Sequence, residues 1–145
     1  MKTHSLLRGL GFYVPERVVT NAELERLVDT SDEWITTRTG IKERRIAAPG
    51  QATSDLSLEA SKKALAGAGM TPDDLTHLFI CTLTPDAYCP PSACILEEKL
   101  GIRGRAAMDL NAACSGFVYG LDMARAVVCQ NPEARVLVCA CDVLT

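Results

Sequence analysis

No stretch of the sequence stays apolar for the roughly 18–20 residues that a membrane span needs. No basic run appears either. The longest cluster, Lys42-Glu43-Arg44-Arg45, is interrupted by a carboxylate, and 15 Lys and Arg stand against 18 Asp and Glu for a net charge of −3. That balance argues against nucleic-acid binding as the main task. The first residues, Met1 to Gly9, turn polar too early for a secretory leader. Seven cysteines, an odd number, without a leader point to free thiols in a reducing, cytoplasmic compartment. Zinc-type spacing is missing as well. The short pairs Cys89/Cys94 and Cys139/Cys141 do not have the paired two-residue separation of a structural site. His4 and His77 lie far from both pairs, so no metal is expected. Internal repeats and low-complexity segments are absent.

What remains is the composition of a soluble globular protein, 48% hydrophobic and 23% charged over 145 residues, enough for one ordinary domain. Glycine and proline divide it into alternating strands and helices. Ser5–Phe12 reads as a strand stopped by Pro15. Asn21 reads as the cap of a helix over Ala22–Val28. Thr30-Ser31-Asp32-Glu33 reads as a capping box opening a helix towards Arg38, which Gly40 ends. Residues 41–52 read as a loop. Thr53 or Ser54 caps a helix to about Ala68, with Leu56, Ala60, Ala64 and Ala68 on one face. Thr71–Asp74 gives a helical turn.

Three apolar strands follow, His77–Leu83, Arg105–Leu110 and Ala134–Ala140, separated by helices over Ser92–Leu100 and Ser115–Gln130. This order predicts an α/β fold with a mainly parallel sheet covered by helices and right-handed crossovers. Functional residues in such sheets gather at the carboxyl ends of the strands.

One cysteine stands at such a place. In Met108-Asp109-Leu110-Asn111-Ala112-Ala113-Cys114-Ser115-Gly116-Phe117 a strand ends, a run of small residues follows and a helix begins beside Cys114. A helix N-terminus favours thiolate over thiol, and its free amides can hold the oxyanion of acyl transfer. A catalytic thiol and a buried structural cysteine both remain open on these grounds. For Cys81, Cys129, Cys139 and Cys141, in strands or a helix interior, the structural role is preferred.

The segment Asn111–Phe117 resembles the active site of the ketoacyl-acyl-carrier-protein synthase III family. So does Thr30–Arg44 (TSDEWITTRTGIKER), with Ile46–Pro49 behind it; this is the part that separates the family from thiolases and elongating ketoacyl synthases. Gly11–Pro15, Val18–Asn21 and Asp142–Leu144 extend the resemblance along the chain. It implies a thiolase-like fold of two similar α/β halves. Residues 1–145 would be the N-terminal half-domain, with the C-terminal half and the first half's last strand beyond Thr145.

The resemblance further implies a reaction: an acyl group passes from acyl-CoA, first of all acetyl-CoA, to Cys114 and then condenses with malonyl-acyl-carrier protein. Acyl-CoA is a substrate, and no separate cofactor is implied. Trp34 would stack on the adenine of coenzyme A, Arg38 would sit beside the adenine and phosphates, and Thr30 would lie at that site's edge. Without the resemblance, Trp34 reads as a core anchor and Arg38 as a solvated charge. Cys89 stands where the family often has a phenylalanine lining the partner's acyl pocket, which implies a wider pocket.

The family's catalytic histidine and asparagine, and a second arginine of the adenine clamp, would also lie beyond Thr145. The expectation is a chain that condenses nothing by itself and becomes at most acylated. It is expected to form a homodimer or larger homo-oligomer through the strand at 105–110. Two other readings stand beside this one: a related condensing enzyme, of hydroxymethylglutaryl-CoA synthase or polyketide-starter type, and a non-catalytic carrier-binding half-domain.

Overall fold

The computed structural model describes residues 4–144, which form two compact units: residues 14–51, and residues 4–13 with 52–144. None of its helices is long and apolar enough to cross a membrane.

The smaller unit contains β1 (Arg17–Thr20), α1 (Asn21–Leu24), α2 (Asp32–Thr39) and β2 (Glu43–Ile46). β1 and β2 pair antiparallel, with Arg17 opposite Ile46 and Thr20 opposite Glu43. Residues 43–46 were expected to be loop. Their alternation is carried by charges, with Arg44 and Ile46 half-buried and Glu43 and Arg45 exposed, so an apolar strand pattern is missing.

Asn21 does not cap α1. Thr20 does: its hydroxyl accepts from the Glu23 amide at 3.3 Å, and the Glu23 carboxylate accepts from the Thr20 amide at 2.9 Å. Asn21 is instead the polar hub of the unit, 1% exposed. Its amide group donates to Asp32 Oδ1 at 2.7 Å and to the Ile41 carbonyl at 2.8 Å, and its Oδ1 accepts from Arg44. α2 starts one residue later than the expected box. Ser31 is its cap, accepting from the Trp34 amide at 3.1 Å, and Gly40 closes it at φ 72°.

The larger unit contains α3 (Thr53–Ala68), β3 (His77–Cys81), α4 (Ser92–Lys99), β4 (Ala106–Leu110), α5 (Gly116–Gln130) and β5 (Val136–Ala140), with a short 3-10 turn at Pro72–Asp74. The sheet order is β4-β3-β5 and every pairing is parallel. His77 aligns with Ala106 and Val136, and Cys81 with Leu110 and Ala140, so all three carboxyl ends lie at one edge. The expected parallel sheet is present. β3 is central, and Leu78 to Cys81 are almost fully buried; covered faces on both sides explain its unbroken apolar run. Leu78 and Ile80 join Leu65, Ala93, Leu96 and Leu137 in one core cluster.

Two expectations for this unit fail. Residues 5–12 form no strand. Their backbone lies against α3 so closely that a Cβ on Gly9 would stand 2.1 Å from the Ala64 carbonyl oxygen, and one on Gly11 2.3 Å from that of Ala60. The two glycines make that approach possible, while Leu6, Leu7, Leu10 and Phe12 stay exposed. Nor is α3 capped by Thr53 or Ser54. Ala52 occupies the cap position, and Asp55 accepts from its amide at 2.9 Å. The hydroxyls of Thr53 and Ser54 are used by the Thr84 carbonyl and the Asp86 carboxylate.

The hub role of Asn21 is testable. Asn21→Ala leaves Asp32, Arg44 and the Ile41 carbonyl short of a partner, and is expected to cost the smaller unit about 2–3 kcal/mol. Trp34 is the only tryptophan and sits in this unit, so urea unfolding followed by its fluorescence reads the effect. A loss below about 0.5 kcal/mol would remove the hub role.

Candidate active site

β4 runs out at Leu110, and the chain passes through Asn111 and Ala112 into a 3-10 turn, Ala113–Ser115, that feeds directly into α5. Cys114 is the middle residue of that turn and is exposed. Ala113 has φ 48°, the only positive φ outside glycine among the described residues. That conformation costs roughly 1–2 kcal/mol, and strain of this kind persists where the surroundings over-determine the backbone. The first amides of a helix lack intrahelical acceptors. Cys114 therefore stands at the amino-terminal end of α5, whose dipole can support the negative charge of an oxyanion.

Two glycines in α5 set where this turn can be. A Cβ on Gly116 would lie 3.1 Å from Cys81 Cβ, and one on Gly120 would lie 2.5 Å from Cys81 Sγ and 3.0 Å from Val138 Cγ1. The first turns of α5 therefore rest on β3 and β5 with no side chain between.

The neighbouring strand ends are tied down by polar contacts. Asp142, just past β5, accepts from Thr82 Oγ1 at 3.0 Å and from the Leu83 amide at 2.6 Å. The Val143 amide donates to Thr84 Oγ1 at 2.8 Å. The loop that follows carries Tyr88 and Cys89, both exposed.

The other thiols differ from Cys114. Cys81 and Cys139 are buried in the sheet. Burial pushes the Cys139 thiol up to about 11, partly offset by a hydrogen bond with Ser61 at 3.3 Å. Burial also raises Cys81, Cys94 and Cys141. His77 opens β3 at the opposite, amino-terminal edge of the sheet, its Nδ1 2.8 Å from Thr76 Oγ1, and His4 is exposed before the first element. Among the described residues no group of three or more His, Cys, Asp or Glu side chains could hold a metal ion.

The second set of candidates lies together in the smaller unit. Trp34 on α2 is 57% exposed, which excludes the core-anchor role. Arg38, one turn further on, holds its guanidinium carbon 5.5 Å from the centre of the indole, a cation–π distance. Ser31, Glu33, Trp34, Thr37 and Arg38 line one shallow depression, and Asp29, Thr30, Ser31 and Trp34 line another. An open aromatic face with a cation beside it suits a flat, anionic ligand. Sequence reasoning did not single out Gly120; it took Ala113 and Gly116 only as small residues leaving room beside Cys114, and Asp142 only as part of the family resemblance. Only the small-residue run before Phe117 hinted at the close approach.

Residues 108–145 match the family model of 3-oxoacyl-[acyl-carrier-protein (ACP)] synthase III. Over all 145 residues the chain is 56% identical to the beta-ketoacyl-[acyl-carrier-protein] synthase III of Oleidesulfovibrio alaskensis and spans 44% of that protein. The crystal structure of 3-oxoacyl-[acyl-carrier-protein] synthase III from Aquifex aeolicus matches with a TM-score of 0.89 and 45% identity, over 94% of this chain and 44% of that one. A priming beta-ketosynthase from a polyketide biosynthetic pathway matches with a TM-score of 0.93 and 36% identity, over 99% of this chain and 43% of that one. The fold is thiolase-like, as the resemblance implied, and the chain spans less than half the length of the relatives it matches.

The contrast among thiols predicts a labelling order. With the fold intact and at mildly alkaline pH, iodoacetamide should modify Cys114 and Cys89 first and leave Cys139 unlabelled, since that thiol stays protonated and enclosed. Peptide mass mapping against time checks this; Cys139 reacting as fast as Cys114 would contradict it.

Proposed function

We propose that this chain accepts an acyl group from acyl-CoA, acetyl-CoA first of all, on Cys114, a reading supported by its 56% identity over 145 residues to a beta-ketoacyl-[acyl-carrier-protein] synthase III. The observation that carries this reading is the exposed cysteine on a strained strand-to-helix turn at the carboxyl edge of a parallel sheet. It lies inside the segment matched by the family model. The Cys114 thiolate attacks the thioester carbonyl, and the oxyanion is held by amides at the start of α5. The carbon–sulfur bond to coenzyme A then breaks, and coenzyme A leaves as a thiolate that takes up a proton. One thioester replaces another, so the step is close to balanced in energy.

In the complete enzyme, malonyl-acyl-carrier protein would then lose CO₂, and its carbanion would attack the acyl-Cys114 carbonyl. The product is a 3-oxoacyl-acyl-carrier protein, and the thiolate is regenerated. The step read here for residues 1–145 is the acylation of Cys114. Trp34 is read as the stacking platform for adenine, Arg38 as the cation beside the adenine and phosphates, and Thr30 as the edge of that site. Cys89 in place of a phenylalanine supports a wider acyl pocket. β4 is an edge strand of its sheet, with Ala106 and Met108 exposed, which supports antiparallel pairing with a second copy. Seven free cysteines support a cytoplasmic setting.

A priming role in polyketide assembly shares the same first step and is favoured by the match to the priming ketosynthase. The higher identity, 56% to a beta-ketoacyl-[acyl-carrier-protein] synthase III against 36% to the priming ketosynthase, supports the first reading over it.

Incubation with acetyl-CoA followed by intact mass measurement tests the proposal. A single acetyl adduct is expected, absent in Cys114→Ala. Trp34→Ala should keep the adduct but raise the acetyl-CoA concentration needed about tenfold, the loss of roughly 1–2 kcal/mol of stacking and cation–π attraction. No adduct on the unaltered chain, or one that persists in Cys114→Ala, would count against the reading and favour a non-catalytic half-domain.

A further inference from the structure

β4 is stapled to α4 at both ends. At its start, the Arg105 amide donates to Glu97 Oε1 at 2.6 Å. Near its end, the carboxylate of Asp109 accepts two backbone amides from the first turn of α4, Ser92 N at 2.7 Å and Ala93 N at 2.8 Å. Such charge-assisted contacts at a helix N-terminus are short and strong. The next residue is fixed on its other side. The Leu110 carbonyl accepts from the Thr82 amide at 3.0 Å, and Leu110 Cδ1 lies 3.8 Å from where a Cβ on Gly120 would stand. The strand end is thus held by α4, by β3 and by α5, four residues before Cys114.

The same contact reaches the loop that carries Tyr88 and Cys89. Ser92, whose amide binds Asp109, accepts from the Asp86 amide through its own hydroxyl at 2.9 Å. Asp86 in turn accepts from the Ser54 amide at 2.9 Å and from its hydroxyl at 2.5 Å. Ser54 and Ser92 are fully buried. One chain of hydrogen bonds therefore runs from α3 through both ends of the loop at 86–92 into the strand that delivers Cys114.

We propose that Asp109 is a positioning residue for Cys114: by holding the two leading amides of α4, it fixes the end of β4 and locks the loop at 86–92 to the turn that presents the thiol. The proposal rests on Cys114 being the acyl acceptor, and its role is geometric. Alkylation by iodoacetamide needs only an exposed thiolate. Acylation by a coenzyme A thioester also needs the thiol aligned with the oxyanion-holding amides, and misplacement of reacting groups is costly.

The test compares both rates at Cys114 in the unaltered chain, in Asp109→Asn, and in the pair Ser92→Ala and Ser92→Pro. Ser92→Ala keeps the amide that Asp109 binds, whereas Ser92→Pro removes it and tolerates the first helical position. The ratio of acylation to alkylation should fall about tenfold in Asp109→Asn, and likewise in Ser92→Pro relative to Ser92→Ala, with cooperative melting retained. An unchanged ratio in folded Asp109→Asn would overturn the proposal. If Asp109→Asn does not fold, the Ser92 pair decides by the same ratio. If the unaltered chain is not acylated at all, the nucleophile reading fails instead. Hydrogen exchange then decides the positioning role alone: faster exchange in peptides covering 111–116 of the Asp109 variant upholds it, and unchanged exchange overturns it.

Discussion

α5 meets the sheet through hydrogen atoms where other helices would place side chains. An added methyl group would stand 3.1 Å from Cys81 Cβ at Gly116, and at Gly120 2.5 Å from Cys81 Sγ and 3.0 Å from Val138 Cγ1, so the neighbours would have to shift. That constraint sets the height of the helix above β3 and β5, and so the place where its first turn begins. The strand β4 ends at a level set by its parallel register with β3. Between these two fixed points only Asn111 to Ser115 remain to close the gap. The tight turn follows, with Ala113 at positive φ and Cys114 exposed at its middle. The Cys114 thiol is displayed because the elements on either side leave the chain no relaxed path. Close packing of this sort does not deform gradually.

Around this point the carboxyl edge is organised by three carboxylates acting mainly on backbone amides. Asp142 holds Leu83, Asp86 holds Ser54, and Asp109 holds Ser92 and Ala93. Each takes up donors that would otherwise be left without partners at a helix start or a loop. Loops tied in this way can carry exposed groups such as Tyr88 and Cys89 without losing their course. Beyond this edge, Phe117, Val118 and Tyr119 on α5 and Leu6, Leu7, Leu10 and Phe12 near the N-terminus stay exposed.

The parallel sheet was legible in the sequence because β3 and β5 are short apolar runs bounded by polar turns, and only strands covered on both faces read that way. The place of Cys114 between a strand and a helix was legible, but its small neighbours left a catalytic thiol and a buried structural cysteine both open, and the structure finds it exposed. β2 was not legible, since its alternation is written in arginines and a glutamate. Residues 5–12 carry strand-like composition but lie on a helix, and composition alone does not name the surface a segment rests on. Thr53 and Ser54 are sound caps by type, yet their hydroxyls serve contacts about thirty residues away. Asn21 was read as a local cap for the same reason, and it proved to be the centre of its unit. Asp109 caps a helix that begins seventeen residues earlier in the chain, a relation that no local pattern encodes. Trp34 on its own favoured the core, and the structure leaves it exposed.

The central claim is that the contact of α5 with Cys81 fixes the acyl-accepting position of Cys114. A double-mutant cycle on the acylation rate tests it directly, using Gly120→Ala, Cys81→Ala and the two together. Gly120→Ala alone should slow acylation of Cys114 by acetyl-CoA, because the new methyl meets Cys81 Sγ and lifts the helix. Removing that sulfur in the double variant should restore most of the rate, giving a coupling energy of about 1 kcal/mol or more. Additive effects, or a Gly120→Ala chain acylated as fast as the unaltered one, would contradict the account.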